Sequence, residues 1–388
     1  MPASASALLT FVLSLALMRV LARVARRIGL TDDPRASKLH VRPVPLVGGL
    51  GILGAMTFGA LTLEVGLTEY RPLFACASVI VLVGVLDDLR ELTSRARFAA
   101  QILVGAMMTS WGAVVLWDLG AIGSPGVDLE LGRFAIPFTV FAAVGVINAL
   151  NMADGLDGLA GGHALVALLA MLGLAVLAGR AADAAVLGVS VAAVLGFLAV
   201  NLRWPGCDGA RVYLGDAGSM LLGLVVAWFA VSLSQGDARA MPPVSGLWVV
   251  AVPLFDAVWL IGLRLAVGRS PTSGGLDHLH HVLLMAGLGV NRALAVMLAL
   301  AVAGAAVGLA TAVLGLDQRW PFWGFVAAFV GYCAVLGRAW RTQRLLGRPL
   351  DRRLRRAERR SGRERRAGAR DGATDRRSGS DRRTARSP

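Results

Sequence analysis

The apolar stretches AGGHALVALLAMLGLAVLAG (160–179) and ADAAVLGVSVAAVLGFLAVN (182–201) decide the fold class. Each has the length of roughly 20 residues that an α-helix needs to cross the hydrocarbon core of a bilayer. Comparable stretches recur along the chain, at about 4–24, 44–63, 71–86, 98–117, 134–150, 218–234, 244–264, 293–316 and 320–338. The sequence therefore predicts an all-α polytopic membrane protein with about eleven transmembrane helices.

The net charge of +14 belongs mainly to one end of the chain. From Arg338 to Pro388 there are 19 arginines and 6 acidic residues, a balance of +13, so the preceding part is almost neutral. The segments ERRSGRERR and DRRSGSDRR interleave arginine with acids, serine and glycine and hold no aromatic residue for base stacking, which argues against nucleic acid as a partner. We predict a transmembrane domain over 1–338 and a disordered cytoplasmic tail over 339–388 that lies against anionic lipid.

Basic residues also indicate the orientation in the membrane. No basic residue precedes the first span, and Arg19, Arg23, Arg26 and Arg27 follow its centre, which favours a retained helix with its N-terminus outside. Alternation from there places most basic loop residues inside, as the positive-inside rule requires. An odd number of spans then puts the C-terminus in the cytoplasm.

Five inside connections hold nearly all the polar residues that could do chemistry. They read DDPRASKLHVRPVPLVGG (32–49), DDLRELTSRAR (87–97), NALNMADGLDGLAGG (148–162), VYLGDAGS (212–219) and SPTSGGLDHLHH (270–281). Polar residues concentrated on one side of the membrane predict a cytoplasm-facing site framed by helix ends.

Each motif has a structural and a functional interpretation. Asp87 and Asp88 could cap a helix, but adjacent carboxylates repel each other and are costly without a cation or a role. Asn148, Asn151 and Asp154 have the spacing of one helical face. The cluster His278, His280 and His281 could be zinc ligands, could bind phosphate, or could be a solvated interfacial cluster. Phosphate recognition fits this cluster better than zinc, because a fuller ligand shell is not evident in the sequence.

Together the motifs are rich in oxygen ligands, so Mg²⁺ or Mn²⁺ is the expected cofactor. Arg90, Arg95, Arg97 and Lys38 supply positive charge for a polyanionic substrate. These are the parts that metal-assisted phosphoryl transfer needs. The alternative is a secondary transporter or ion pump with a cytoplasm-facing polar site, which would need ionisable groups near the membrane midplane. Asp256 is the acid that lies well inside a span.

The five motifs, in this order over about residues 31–290, resemble the polyprenyl-phosphate N-acetylhexosamine-1-phosphate transferases of glycosyltransferase family 4. NxxNxxDGxDGL followed by GDxGS is the most specific part of the resemblance. It implies a membrane enzyme that transfers a sugar 1-phosphate from a UDP-N-acetylhexosamine to undecaprenyl phosphate with Mg²⁺ and releases UMP. The N-acetylglucosaminyl branch of the family is the nearest match.

The resemblance also implies roles for individual residues. Catalysis would fall to Asp87, Asp88, His278, His280 and His281, and the metal would be held by Asp216 and Asn151. Substrate binding would involve Asp154, Asp157, Tyr213, Asn148, Arg97, Lys38 and His40. In this assignment Asp157 lies where the family contacts uracil, and Tyr213 where an aromatic ring stacks on that base.

The resemblance further implies a bacterial cytoplasmic (inner) membrane protein whose active site faces the cytoplasm and makes the first lipid-linked intermediate of a cell-envelope glycan. Ser37 stands where the family's first motif often has arginine, and SPTSGGLDHLHH lacks an arginine common before the histidines. These departures leave the donor sugar open, with GlcNAc, GalNAc or a deoxy sugar as choices. A homodimer is also left open.

Overall fold

The computed structural model describes residues 1–32, 43–204, 209–270 and 277–345. Of the described residues, 74% are helical, which is consistent with the predicted all-α class. The described residues form thirteen α-helices: α1 (Ala3–Ile28), α2 (Gly48–Leu61), α3 (Arg71–Arg90), α4 (Ser94–Ser110), α5 (Ala135–Met152), α6 (Leu159–Leu177), α7 (Ala181–Asn201), α8 (Gly215–Ser232), α9 (Pro243–Val249), α10 (Ala251–Ala266), α11 (Leu279–Met285), α12 (Val290–Val313) and α13 (Arg319–Leu345). Strands β1 (Thr31–Asp32) and β2 (Val44–Pro45) pair antiparallel.

Each of the eleven predicted spans overlaps a helix or, in one case, the bent pair α9 and α10. Within the described residues, eight helices are long and apolar enough to cross a membrane, and α9 with α10 makes a ninth if the 76° bend lies inside one span. The helix α2 is apolar but only 14 residues long, and α4 has 17 residues. The predicted class, a polytopic membrane protein, is thus confirmed. The described residues give eight or nine spans by length and composition.

Close contacts between small residues hold the helices together. The most buried of the eight spans is α8, with 83% of its apolar window buried. Its Ala217 packs on Gly84 of α3, its Gly218 on Gly49 of α2, and its Gly223 on Ile147 of α5. Lipid chains are as apolar as the side chains, so membrane helices associate through packing of this kind rather than through the hydrophobic effect.

Two compact units divide the chain. The first contains residues 1–32 and 44–336 and includes nearly all of the helices. The second contains 33–43 and 337–388, and its described residues are Pro43 and the last turns of α13. In those turns the Thr342 hydroxyl donates to the Arg338 carbonyl at 2.9 Å. Most of the predicted tail, 339–388, lies outside the described residues, so its boundary stays a prediction.

The contact between Gly84 and Ala217 gives a test of helix packing. A methyl group at position 84 would overlap the backbone of Ala217, so we expect Gly84→Ala to lower the free energy of unfolding by about 1–3 kcal/mol. The matched control is Gly173→Ala in α6, where an added methyl group meets nothing within 4 Å. Thermal unfolding of both variants in detergent measures the difference, and equal midpoints would contradict this account of the packing.

Candidate active site

The segment 87–97 folds as the end of one helix, a tight turn and the start of the next. Helix α3 ends where Glu91 takes a left-handed conformation with φ of 48°. The Asp87 carboxylate accepts the Leu92 N–H at 2.7 Å and so stabilises the turn. Thr93 then caps α4 by accepting the Ala96 N–H at 3.3 Å. Asp87 therefore has a local structural role, although its Oδ2 oxygen faces other partners.

Arg97 lies in the first turn of α4 and links two carboxylates. Its Nη1 atom is 3.0 Å from Oδ2 of Asp87 and 3.7 Å from Oδ2 of Asp216. Because both carboxylates lie near the same Nη1 atom, Asp87 and Asp216 are close neighbours. One guanidinium group thus partly offsets the repulsion between two acids that come from α3 and α8.

Asp88 binds the N-terminus of α8. Its carboxylate accepts the Asp216 N–H at 2.9 Å and the Ala217 N–H at 3.4 Å. The first N–H groups of a helix have no partner within the helix, so a carboxylate from α3 satisfies them in place of a local cap. Gly215 permits this approach because its φ is +72° and a side chain there would meet the Asp88 carboxylate. The two adjacent acids therefore have different partners. Asp87 contacts Arg97, and Asp88 binds the N-terminus of α8.

Asn151 joins the same network from the last turn of α5. Its side-chain amide donates to Oδ1 of Asp216 at 2.7 Å and to the Ser219 hydroxyl at 2.9 Å. One turn earlier, Asn148 donates to the Gln101 side chain at 2.6 Å. Helix α5 thus brings Asn151 to the carboxylates, whereas Asn148 pairs with a glutamine of α4.

Asp154 lies in the loop between α5 and α6. Its side chain keeps an exposed surface, yet the surrounding protein atoms bury the carboxyl enough to raise its pKa to about 8, and the nearby Asp216 and Asp88 add to this effect. The exposed surface and the burial are compatible in a group that lines a cleft. Asp154 therefore belongs electrostatically to the same acidic cluster.

Asp157 is buried and already has strong partners. Its Oδ2 oxygen is 2.6 Å from Nε of Arg203 and accepts the Ala210 N–H at 3.2 Å. The neighbouring Gly158 N–H donates to the Asn201 side chain at 2.6 Å. Asp157 thus connects the α5–α6 loop to the segment after α7. A contact with a nucleotide base would be a second role for this residue.

Tyr213 lies on an extended segment beside β2. Its N–H donates to the Pro45 carbonyl at 2.9 Å, and its carbonyl accepts the Gly48 N–H at 3.0 Å. Burial raises the pKa of its phenol, and the charge of Asp157 raises it further. The backbone around Tyr213 therefore joins the end of the first inside motif to the start of α8.

The histidine motif is anchored by an acid of α10. Nδ1 of His278 lies 2.8 Å from Oδ2 of Asp256, while Oδ1 of Asp256 accepts the Leu279 N–H at 3.0 Å and the Tyr332 hydroxyl at 2.7 Å. The imidazole rings of His280 and His281 have centroids 4.1 Å apart. Asp256 thus fixes the orientation of the His278 ring and the position of the first residue of α11.

Hydrogen bonds and ion pairs join five of the predicted residues directly: Asp87, Asp88, Arg97, Asn151 and Asp216. Asp154 lies beside them, and the histidines adjoin the same loop, because Gly155 packs against the His280 ring. Lys38 and His40 lie outside the described residues. Sequence reasoning did not assign Gln101, Asn201, Arg203 or Tyr332 to the site. For Asp256 the signal was present, since an acid within an apolar span is rarely without a function.

The oxygen donors of the network suit a hard divalent cation. The side-chain amide of Asn151 contacts the Asp216 carboxylate, and Asp87 and Asp88 lie in the same network. The three negative charges of these acids exceed the one positive charge of Arg97. Such a set of carboxylate and amide oxygens is the type that Mg²⁺ and Mn²⁺ prefer. The arrangement can therefore bind a cation together with phosphate groups.

Comparison with known proteins places this site in a family. Residues 70–234 match the model of glycosyl transferase family 4. The undecaprenyl-phosphate alpha-N-acetylglucosaminyl 1-phosphate transferase of Yersinia pestis is 34% identical over 350 residues, 89% of this chain and 94% of that protein. Proteins of the same name from Escherichia coli (strain K12) and Haemophilus influenzae are 32% and 31% identical, over 86% and 88% of this chain and 90% and 96% of their own. The chain therefore belongs to glycosyl transferase family 4.

Proposed function

We propose that this protein transfers N-acetylglucosamine 1-phosphate from UDP-N-acetylglucosamine to undecaprenyl phosphate and releases UMP. The observation that carries the proposal is the network of Asp87, Arg97, Asp216 and Asn151, which joins three motifs at one set of helix ends. Relatives named for this reaction align over most of the chain. The product is the first lipid-linked intermediate of a cell-envelope glycan.

The chemistry is an in-line displacement at the β-phosphorus of the donor. An oxygen of the lipid phosphate forms a bond to that phosphorus, the bond to the bridging oxygen breaks, and UMP leaves. Arg97, held between Asp87 and Asp216, is placed to attract the lipid phosphate. Asp87 and Asp88 would orient the acceptor or take its proton, and the histidine motif would contact the sugar phosphate. Asp157, on the α5–α6 loop, and Tyr213 would bind the uridine.

Mg²⁺ fits the oxygen donors better than a thiophilic metal does. Asp216 and Asn151 would hold the ion through a carboxylate oxygen and an amide oxygen, and the hydrogen bond from the Asn151 amide N–H to Oδ1 of Asp216 at 2.7 Å keeps the two side chains together. When bound, the ion neutralises the diphosphate charge and so favours departure of UMP. Mn²⁺ would serve in the same way, because it prefers similar ligands.

We also propose that the chain crosses the membrane eleven times, with its N-terminus outside the cytoplasm. The motifs lie at the end of α3, the end of α5 and the start of α8, which is the alternation that successive crossings require. This counting treats α2, α4 and the bent pair α9 and α10 as spans. The active site then faces the cytoplasm of a bacterial inner membrane, within a catalytic domain over 1–338 that is followed by a cytoplasmic tail. A homodimer is compatible with this arrangement.

Transport is less well supported. A transporter would need ionisable groups and a path near the midplane. Most carboxylates of the site lie at helix ends, and Asp256 is engaged by His278 and Tyr332. A transfer reaction at the membrane surface accounts for these positions more simply.

Purified protein in detergent, with Mg²⁺ and undecaprenyl phosphate, tests the proposed reaction directly. We expect UMP release with UDP-N-acetylglucosamine and slower or no release with UDP-glucose, because the acetamido group distinguishes the donors. UDP-N-acetylgalactosamine in the same panel tests the sugar. If no UDP-sugar supports UMP release, the proposed function is wrong.

Removal of the predicted metal ligand should stop turnover. We expect Asp216→Asn to lower the rate of UMP release by about 100-fold or more, because the amide cannot neutralise the cation. The matched control is Asp128→Asn, an exposed acid that pairs with Arg239 away from the site and should keep its rate. A monodisperse, folded Asp216→Asn protein with full Mg²⁺-dependent activity would contradict the metal assignment.

Reporter insertions test the proposed orientation. Alkaline phosphatase is active only outside the cytoplasm, whereas green fluorescent protein fluoresces when it is cytoplasmic. We expect phosphatase activity from an insertion after Gly123, in the α4–α5 loop, and fluorescence from a fusion to the C-terminus. The reverse pattern would contradict the positive-inside assignment.

A further inference from the structure

A cluster of nitrogen donors lies apart from the carboxylate network. His278 and His280 come from the start of α11 and Asp256 from α10, and their nearest ligand atoms all lie within 4.8 Å of one another. All three side chains are buried, with exposed fractions of 8% or less, and His163 of α6 is buried as well.

Several of these imidazole nitrogens are without a protein partner. Within the part of the chain that the structure describes, neither ring nitrogen of His280 or of His163 forms a hydrogen bond, although all four atoms are buried. Buried polar atoms are costly unless they are satisfied, and such exceptions indicate a bound water or ion. The unsatisfied His280 imidazole beside Asp256 is a second, independent sign of a ligand.

The chemistry of the cluster suits a metal ion. Imidazole is the commonest metal ligand in proteins, and Asp256 adds a carboxylate to the two rings. A cation added to this cluster would also compensate the charge of the Asp256 carboxylate.

The surroundings hold these donors in place. Tyr332 and the Leu279 N–H fix one oxygen of Asp256, which leaves the other directed at His278. A carboxylate that orients a histidine ring is a common companion of metal sites. On the far side, the His280 ring packs against Gly155, where any side chain would collide with it.

We propose that Asp256, His278 and His280 form a three-ligand binding site for a zinc-class cation. Imidazole with one carboxylate selects Zn²⁺, Co²⁺ or Ni²⁺, whereas the Asp216 network, made of oxygens, selects Mg²⁺. The sequence left zinc open for the histidine motif but did not show that Asp256 joins it, because Asp256 is remote from that motif along the chain. The site gives His278 and His280, which the family resemblance assigns to catalysis, a role in binding a cation, and it leaves His281 to the substrate.

Direct binding measurements test the site without reference to activity. The full chain, purified with an affinity tag that lacks histidine and stripped with a chelator, is titrated with Zn²⁺ in excess Mg²⁺. We expect about one Zn²⁺ per chain. X-ray absorption of the zinc-loaded wild type should show at least two imidazoles at about 2.0–2.1 Å, a readout that needs no variant.

Variants assign the ion to these residues. His280→Ala and Asp256→Asn should each weaken Zn²⁺ binding by about 10-fold or more. The matched control is Asp183→Asn, another buried acid that accepts a tyrosine hydroxyl, from Tyr70 at 2.9 Å, and it should leave Zn²⁺ affinity unchanged. Absence of stoichiometric Zn²⁺ on the wild type, a shell without imidazole, or unchanged affinity in both folded site variants would overturn the proposal.

Discussion

The binding of the α8 N-terminus by Asp88 is the interaction on which the site depends. Helix α8 is buried among other helices, so its first N–H groups cannot be left unpaired. Asp88 satisfies two of them from α3, at 2.9 and 3.4 Å. The Gly84 and Ala217 contact brings the two helices close enough for these bonds. Once that register is set, Asp87 and Asp216 must face each other.

Carboxylates that face each other repel. The neighbouring elements supply part of the positive charge that offsets this repulsion. The turn after α3, held by Asp87 and capped by Thr93, puts Arg97 between the two acids. Asn151 approaches from α5 and donates to Asp216. The remaining negative charge suits a divalent cation and a diphosphate, so the packing of three helices and the proposed reaction have one physical origin.

The membrane class was predictable because apolar length alone signals a span, and the stretches at 160–179 and 182–201 appear as α6 and α7 with small shifts. Whether the segments of α2 and α4 cross the membrane is harder to predict from the sequence. Glycine-rich and short apolar segments have the same hydropathy whether they cross the membrane or pack inside the protein. The number of spans therefore rests on the alternation of helix ends as well as on hydropathy.

The sequence by itself determined which residues could form the site, since the acidic pair, the asparagines and Gly-Asp stand in recognisable motifs at predicted helix ends. Only the tertiary structure decided their partners. It bound Asp88 to helix α8, paired Asp157 with Arg203, and joined Asp256 to both His278 and Tyr332. These contacts connect residues far apart in the chain, and their geometry depends on how helices pack, which no local pattern of side chains records.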